Sequence, residues 1–316
     1  MDFALTETQR ELAAAARKYL SRTYPVERVA AMSDGDGIDT AAWPELVRQG
    51  WLDDDLGMVE LGLLAQESGY TLHPTPWWTT VALTAQKEPS TLVTGNFVAR
   101  DGNGWRLSGN SVLVPDAGTA AHFVVDAGDQ LFIVGASDAT VREYTSLDRL
   151  RRMYEVRLDD APARPLAPVG RDRAAALLAC EAVGVAARAM DFAVDYAKTR
   201  EQFGRPIGSF QAVAHQLAEG YVELELARSL ALRAAWLVGD QGDSDERISA
   251  LACAVISGRQ AAVRCCELAM QTLGGMGVTW EHPLHLWFRR ALWLESFALP
   301  DPYAAVAAAI LIRETR

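Results

Sequence analysis

The sequence predicts a mainly α-helical α+β fold, because its pattern of apolar residues changes twice along the chain. Residues 3–68 carry apolar residues at helical spacing, residues 92–158 break into short β-rich runs, and the alanine- and leucine-rich helical pattern returns from residue 171. We expect an N-terminal helical domain, a small central β domain and a C-terminal helical bundle, at residues 1–85, 86–165 and 166–316.

The N-terminal segment TETQRELAAAARKYL predicts an amphipathic first helix. Thr6 followed by Glu7 can begin it, since a threonine hydroxyl accepts hydrogen bonds from the first amides of a helix. The run TLHPTP at residues 71–76 ends the helical region, because proline lacks an N–H and restricts the residue before it. We expect the adjacent Trp77 and Trp78 to pack near this boundary.

The middle region reads as short strands separated by turns. Its strongest turn signals are the dipeptides DG and NG at residues 101–104. We therefore expect Phe97–Ala99 and Trp105–Ser108 to pair as a hairpin.

The C-terminal region is broken at GRPIG, GDQGDSDE and LGGMG, which predicts a bundle of four or five helices. At the first break a helix ends near residues 196–199 and is followed by Arg200, Gln202 and Phe203, before Pro206 fixes a turn. An arginine can bind phosphate oxygens and a phenylalanine can cover a ring, so this connection suits a dinucleotide. A simple helix–helix turn with an exposed arginine is an equal alternative.

A second loop, QTLGGMG, begins at Gln271 and contains three glycines where a backbone can approach a ligand closely. No strand precedes this loop and helical patterns flank it on both sides. A dinucleotide-binding βαβ unit is therefore excluded.

Composition excludes several classes of function. The net charge of −11 argues against a nucleic-acid or anionic-membrane partner. The chain has no run of 18 apolar residues and no secretory pattern at its start, so we expect a cytoplasmic protein. His215 and His282 have no ligand partners nearby, so we predict no metal site. The cysteines are expected to be reduced thiols in helices: Cys180, Cys253, Cys265 and Cys266.

Four segments together resemble the acyl-CoA dehydrogenase family: MDFALTETQREL, GWRLSGNSVLVPDAGTAAHFVV, YAKTREQFGRPIGSFQAVAHQLA and QTLGGMG. The resemblance runs along nearly the whole chain, and the last two segments are the specific ones. It implies an N-terminal helical domain, a central β domain and a C-terminal four-helix bundle. It also implies FAD-dependent introduction of a Cα–Cβ double bond into an acyl-CoA thioester, with electron-transfer flavoprotein as acceptor.

The resemblance also implies that FAD is shared between subunits. In the family, one subunit holds the ADP part of an FAD whose flavin ring lies in the neighbouring subunit. The positions that match the ADP-holding residues are Arg200, Gln202, Phe203, Gln271, Gly274 and Gly275.

Both positions at which the family carries its catalytic glutamate match alanine here. One lies in a C-terminal loop and matches Ala298, and the other lies ten residues before Gly184 and matches Ala174. Alanine cannot take a proton, so we expect no catalytic residue in this chain. Glu181 and Glu295 are the nearest glutamates, but each is displaced by a turn or two, which favours structural roles.

The positions that would contact the flavin also depart from the family. A TEPxAGSD-like loop has no counterpart in LTAQKEPSTLVTGNF. In the strand that matches the family's WITN, Leu113 replaces the ring that covers the flavin, and Pro115 has neither an N–H nor a hydroxyl.

Retained ADP loops beside a lost flavin pocket indicate the non-catalytic half of a heteromer. The chain resembles the smaller subunit of actinobacterial α2β2 acyl-CoA dehydrogenases that act on steroid side-chain CoA thioesters, whose catalytic partner binds most of the acyl-CoA. Two alternatives stay open. One is a self-sufficient homodimeric dehydrogenase with Glu181 or Glu295 as base, and the other is a non-enzymatic scaffold that has lost FAD.

Overall fold

The computed structural model describes residues 4–84, 87–128, 130–167, 169–240 and 244–297, together with Val306. These residues are mostly helical with a sheet formed by the middle of the chain, so the predicted mainly α-helical α+β class is confirmed. No helix within these ranges is long and apolar enough to span a bilayer.

The chain divides into two compact units, each discontinuous in sequence. The helical unit comprises Met1–Ala31, Met58–His73 and Ala175–Arg316. The sheet unit comprises Met32–Gly57 and Pro74–Ala174. The three-domain boundaries expected from the sequence stay a prediction.

The structure has a helical region, then a β region, then a second helical region, in the order that the sequence patterns predict. The α-helices are α1 (Glu7–Thr23), α2 (Val26–Asp34), α3 (Trp43–Arg48), α4 (Met58–Thr71), α5 (Trp77–Leu83), α6 (Val169–Thr199), α7 (Gln211–Asp240), α8 (Ser244–Leu273) and α9 (Leu284–Ser296). The strands are β1 (Ser90–Thr94), β2 (Asn96–Gly102), β3 (Gly104–Pro115), β4 (His122–Asp126), β5 (Leu131–Gly135), β6 (Ala139–Tyr144), β7 (Met153–Leu166), β8 (Glu201–Gln202) and β9 (Arg205–Pro206).

Helix α1 begins where the sequence predicts, because Thr6 caps it. The Thr6 hydroxyl accepts a hydrogen bond from the Gln9 amide at 3.2 Å, and the Gln9 side chain accepts one from the Thr6 amide at 3.0 Å. This reciprocal pair is a capping box. The apolar face of the helix buries Ala16 and Leu20.

The sheet unit is built on a seven-stranded sheet with the order β1-β4-β5-β7-β3-β2, in which β6 also pairs with β7. The predicted hairpin is confirmed: β2 and β3 pair antiparallel from Asn96↔Asn110 to Gly102↔Gly104. The core beneath the sheet is apolar, with Phe123 and Phe132 almost fully buried.

The bundle of the helical unit contains α6, α7, α8 and α9, as predicted. Helix α4 packs closely against α6, because each helix presents a glycine where the other backbone approaches. A Cβ at Gly184 would lie 1.9 Å from the Gln66 carbonyl oxygen, and one at Gly69 would lie 2.1 Å from the Glu181 carbonyl oxygen. Neither position therefore accepts a larger residue without separating the helices.

The four cysteines form no disulfide among the described residues, and their redox state stays a prediction. Cys180, Cys265 and Cys266 are buried in the bundle, and Cys253 is half-buried. Burial raises the pKa of Cys180 and of Cys265 to about 12, so both stay protonated at neutral pH.

Candidate functional site

The connection between α6 and α7 is a tight two-stranded hairpin at residues 200–206. Its two-residue turn has Phe203 at φ 52° and Gly204 at φ 78°, the left-handed conformations that a type I′ turn requires. The Ile207 amide donates to the Arg200 carbonyl at 2.8 Å and closes the base of the hairpin. The backbone therefore presents this segment as a compact projection with a fixed shape.

The side chains of this hairpin point to solvent and have few internal partners. Phe203 is 93% exposed and only touches the ring edge of Phe210, with ring centroids 6.1 Å apart. Arg200 is exposed and forms no side-chain hydrogen bond or ion pair within the described residues. The side-chain amide of Gln202 donates to the neighbouring Glu201 carbonyl at 2.8 Å and to no other group among the described residues. A guanidinium, an amide and an apolar ring are thus all available to a ligand.

The second loop continues the end of α8 as a 3₁₀ turn, Gly274–Val278. The fold itself requires glycine at two of these positions. Gly274 has φ 62°, and a Cβ at Gly277 would lie 2.8 Å from the Met270 carbonyl oxygen. The fold does not require glycine at residue 275, because its φ is not positive and a Cβ there would meet open space. Its exposed backbone, beside exposed Gln271, can be approached closely from outside.

The hairpin and the glycine turn are not bonded to each other in the described part of the chain: no hydrogen bond, ion pair or ring contact joins them. The residues predicted to hold ADP are all exposed on the helical unit: Arg200, Gln202, Phe203, Gln271, Gly274 and Gly275. A forked cation, an amide, a ring and an open backbone fit a pyrophosphate with an attached base. Their role as ADP ligands stays a prediction.

A tryptophan follows the glycine turn that sequence reasoning did not single out. Trp280 is 67% exposed, the Arg289 guanidinium lies 4.6 Å above its ring centroid, and the His285 ring packs edge-on at 4.6 Å. The sequence could have indicated this residue only as an aromatic residue that follows a glycine-rich loop.

The first position that matches the family's base is fully buried. Ala174 on α6 has no exposed surface, and the second position, Ala298, lies outside the described residues. Glu181, seven residues after Ala174, is 1% exposed, and Arg290 of α9 donates to its Oε1 at 2.6 Å. Arg290 is itself 0% exposed. A carboxylate in a buried ion pair is poorly placed to reach a substrate.

Glu295 lies in a different environment. It is exposed on α9 and lines a cavity of about 410 Å³ together with Glu223 and Glu267. Arg264 also lines this cavity, but it lies 3.8 Å from Glu267 and is paired with that residue. Three glutamates and one arginine give this cavity a net negative charge, which disfavours the phosphates of CoA and makes Glu295 a poor candidate for the base.

The strand expected to face a flavin offers few donors. Leu113 sits in a bulge of β3 at φ 64° and is 62% exposed. The carbonyl of Pro115 already accepts a hydrogen bond from the Thr91 hydroxyl at 2.7 Å. Asp116 is buried and paired with Arg151 at 3.2 Å. This stretch supplies neither an aromatic cover nor a backbone N–H at residue 115, so it does not fit a flavin ring.

The two histidines considered as metal ligands, His215 and His282, lie in different surroundings. His282 accepts a hydrogen bond from the Leu284 amide at 3.2 Å and packs edge-on against Phe192. Burial, together with nearby Arg188, lowers the pKa of His282. His215 is exposed on α7. No cluster of three or more potential metal ligands occurs in the part of the chain that the structure describes.

Comparison with known proteins gives consistent results. The family model described as "Acyl-CoA dehydrogenase, C-terminal domain" matches residues 171–298. The chain is 31% identical over 291 residues to "Acyl-CoA dehydrogenase IpdE2" of Mycobacterium tuberculosis, and the match covers 83% of each protein.

Two solved structures share the fold along almost the whole chain. A variant of the Tcur3481-Tcur3483 steroid ACAD is 28% identical with a TM-score of 0.88, covering 98% of this chain and 99% of that one. The ChsE4-ChsE5 complex from Mycobacterium tuberculosis is 24% identical with a TM-score of 0.86, covering 100% of this chain and 99% of that one.

Proposed function

Since the chain belongs to the acyl-CoA dehydrogenase family, we propose that it is the non-catalytic subunit of a heteromeric, FAD-dependent acyl-CoA dehydrogenase. In this proposal the chain supplies the ADP-side contacts to FAD, and a catalytic partner holds the flavin ring and most of the acyl-CoA. The similar Tcur3481-Tcur3483 protein is named a steroid ACAD, which supports a steroid side-chain CoA thioester as substrate.

The hairpin at residues 200–206 is the observation that carries the proposal. A phenylalanine that is 93% exposed at a positive φ has no evident benefit to the isolated chain, since it hides little apolar surface from water. Next to it, Arg200 has no internal anion within the described residues. A ligand with phosphates and a ring, placed against this hairpin, would satisfy both side chains.

The chain's own residues would bind and orient rather than react. Arg200 would pair with pyrophosphate oxygens, Phe203 would cover the adjoining ring, and Gln202 and Gln271 would donate amide hydrogen bonds. The open backbone at Gly275 would allow close approach of the ADP part. FAD, when bound, supplies the hydride-accepting chemistry of α,β-dehydrogenation.

The α-proton would be taken by the partner. Within the described residues, the two glutamates considered as alternative bases are unsuited to the task. Glu181 is committed to Arg290, and Glu295 lies among other acidic groups. The partner therefore has to provide both the base and the flavin pocket.

Co-expression tests the proposal. The chain is purified alone and together with each candidate catalytic acyl-CoA dehydrogenase subunit from the same organism, and FAD is released by denaturation and measured by absorbance. We expect little FAD in the chain alone and about one FAD per pair in the complex. A fully flavinylated, active homodimer would establish the self-sufficient alternative, and a complex that forms without FAD would establish the scaffold alternative.

Arg200→Ala tests the hairpin directly. Loss of a charge-assisted contact to phosphate costs about 1.5–3 kcal/mol, so the FAD dissociation constant of the complex should rise about 10- to 100-fold. Arg100→Ala is the matched control, because Arg100 on β2 is also exposed and has no ion-pair partner among the described residues. Equal FAD content in both variants would show that residues 200–206 form only a turn.

A further inference from the structure

A cavity of about 440 Å³ lies in the helical unit and contains none of the residues assigned above to FAD or to catalysis. It is lined by α1, α4, α6, α9, the connection between α1 and α2, and the first residue of α2. Its lining includes two arginines, Arg17 and Arg188, and no acidic residue. Tyr24, Val26 and Trp287 contribute aromatic and apolar walls. Its volume lies in the range of small-molecule sites.

Arg17 is already neutralised by a carboxylate. Its Nε donates to Oε2 of Glu67, and its Nη2 donates to Oε1 at 3.2 Å. Its guanidinium also lies 3.3 Å from the centroid of the Tyr70 ring. Burial raises the pKa of Glu67, and the Arg17 charge opposes that rise. Arg17 therefore has limited capacity for another anion.

Arg188 is different, because it is half-buried without an acidic partner among the described residues. Three rings hold its guanidinium, with the centroids of Phe192, Tyr70 and Trp287 at 4.3, 5.0 and 5.8 Å. Its Nη1 donates to the Tyr70 hydroxyl at 3.0 Å. That hydroxyl in turn donates to Asp191 Oδ2 at 2.6 Å.

Arg188 keeps N–H groups that can donate to a ligand, and the surrounding rings hold its side chain in place. A guanidinium carries five N–H donors, and among the described residues Arg188 has one acceptor, the Tyr70 hydroxyl. The surrounding rings hold the side chain in place, so an incoming anion would lose little of its binding energy to ordering the arginine. Burial and the hydrogen bond to Asp191 raise the pKa of Tyr70, so the hydroxyl stays neutral at physiological pH.

We propose that this cavity binds a small monocarboxylate with an apolar or aromatic body, anchored by Arg188. The carboxylate pairs with the guanidinium, which matches the planar fork of two oxygens. The body of the ligand contacts the walls formed by Tyr24, Val26 and Trp287. These walls give a carboxylic acid an advantage over inorganic phosphate, which has no apolar part to bury.

Benzoate is the probe for this proposal. The purified full chain is titrated with sodium benzoate, benzyl alcohol and sodium phosphate by isothermal calorimetry and by ligand-observed NMR. We expect saturable binding of benzoate and at least ten-fold weaker binding of the other two. The proposal is overturned if benzoate does not saturate at millimolar concentration, if benzyl alcohol binds equally well, or if phosphate does.

Variants locate the binding. Arg188→Gln should weaken benzoate binding at least ten-fold, whereas Arg289→Gln should leave it unchanged. Arg289 is the matched control because it is also half-buried beside a tryptophan, Trp280, but does not line the cavity.

A second variant covers the case in which Arg188→Gln fails to fold. Ser21 is an exposed residue of α1 that lines the cavity, so Ser21→Trp should fill the opening and abolish binding without altering the melting temperature. Undiminished benzoate binding by folded Ser21→Trp, or by folded Arg188→Gln, would refute the assignment.

Discussion

Replacing Glu181 with Gln should strongly destabilise the chain while leaving the chemistry of an assembled complex intact. The carboxylate is 1% exposed and the Arg290 guanidinium 0% exposed, with 2.6 Å between the bonded atoms, so neither charge is relieved by water. Two charges with centres about 4 Å apart attract by about 4 kcal/mol at an effective dielectric constant of 20. Removing one partner of a buried pair typically costs about 3–5 kcal/mol.

Urea unfolding of the purified chain, followed by circular dichroism, measures this cost. Glu181→Gln should lower the free energy of unfolding by about 3–5 kcal/mol, and Glu295→Gln, at an exposed position, by less than about 0.5 kcal/mol. The double variant Glu181→Gln/Arg290→Met should recover part of the loss, because it removes the charge left unpaired. A Glu181→Gln variant within about 1 kcal/mol of wild type would refute the reasoning.

The same two variants test where the proton is taken. In complexes that still assemble and hold FAD, turnover should stay within a few-fold of wild type, whereas loss of a general base commonly costs about 100-fold or more. Abolished dehydrogenation in a folded, FAD-containing complex of either variant would place the base in this chain. The heteromeric proposal would then be wrong.

Two glycines, two cysteines and one helix cap allow further tests. Gly277→Ala should destabilise the chain, because its Cβ would meet a carbonyl oxygen at 2.8 Å, whereas Gly275→Ala should keep stability in urea and weaken FAD binding by the complex. With a thiol reagent at pH 8, Cys253 should react before Cys180, whose pKa of about 12 leaves almost no thiolate; faster modification of Cys180 would contradict its burial. Thr6→Ala should cost about 1 kcal/mol in urea unfolding by removing the cap of α1, and no change would mean that the capping box is dispensable.

The sequence by itself determined the features that depend on neighbouring residues. The cap at Thr6, the hairpin closed by the turn at residues 101–104 and the end of α6 at Thr199 all lie where local patterns predict them. Capping, turn formation and helix termination involve groups a few residues apart, so short segments of sequence are enough to predict them. The connection that carries Arg200 and Phe203 was placed after α6 for the same reason, but its turn lies at Phe203 and Gly204 rather than at Pro206.

Only the tertiary structure decided which charged side chains are paired within the chain and which can still bind a ligand. Glu181 and Arg290 are 109 residues apart in sequence, and their ion pair exists because α6 and α9 pack together in the bundle. Nothing in the sequence distinguishes Arg188 from the other charged residues of α6, and rings from three helices surround it only in the folded chain. Burial, ion pairing and ring contacts depend on distances between segments remote in the chain, and these are set by packing of the whole unit rather than by any local pattern.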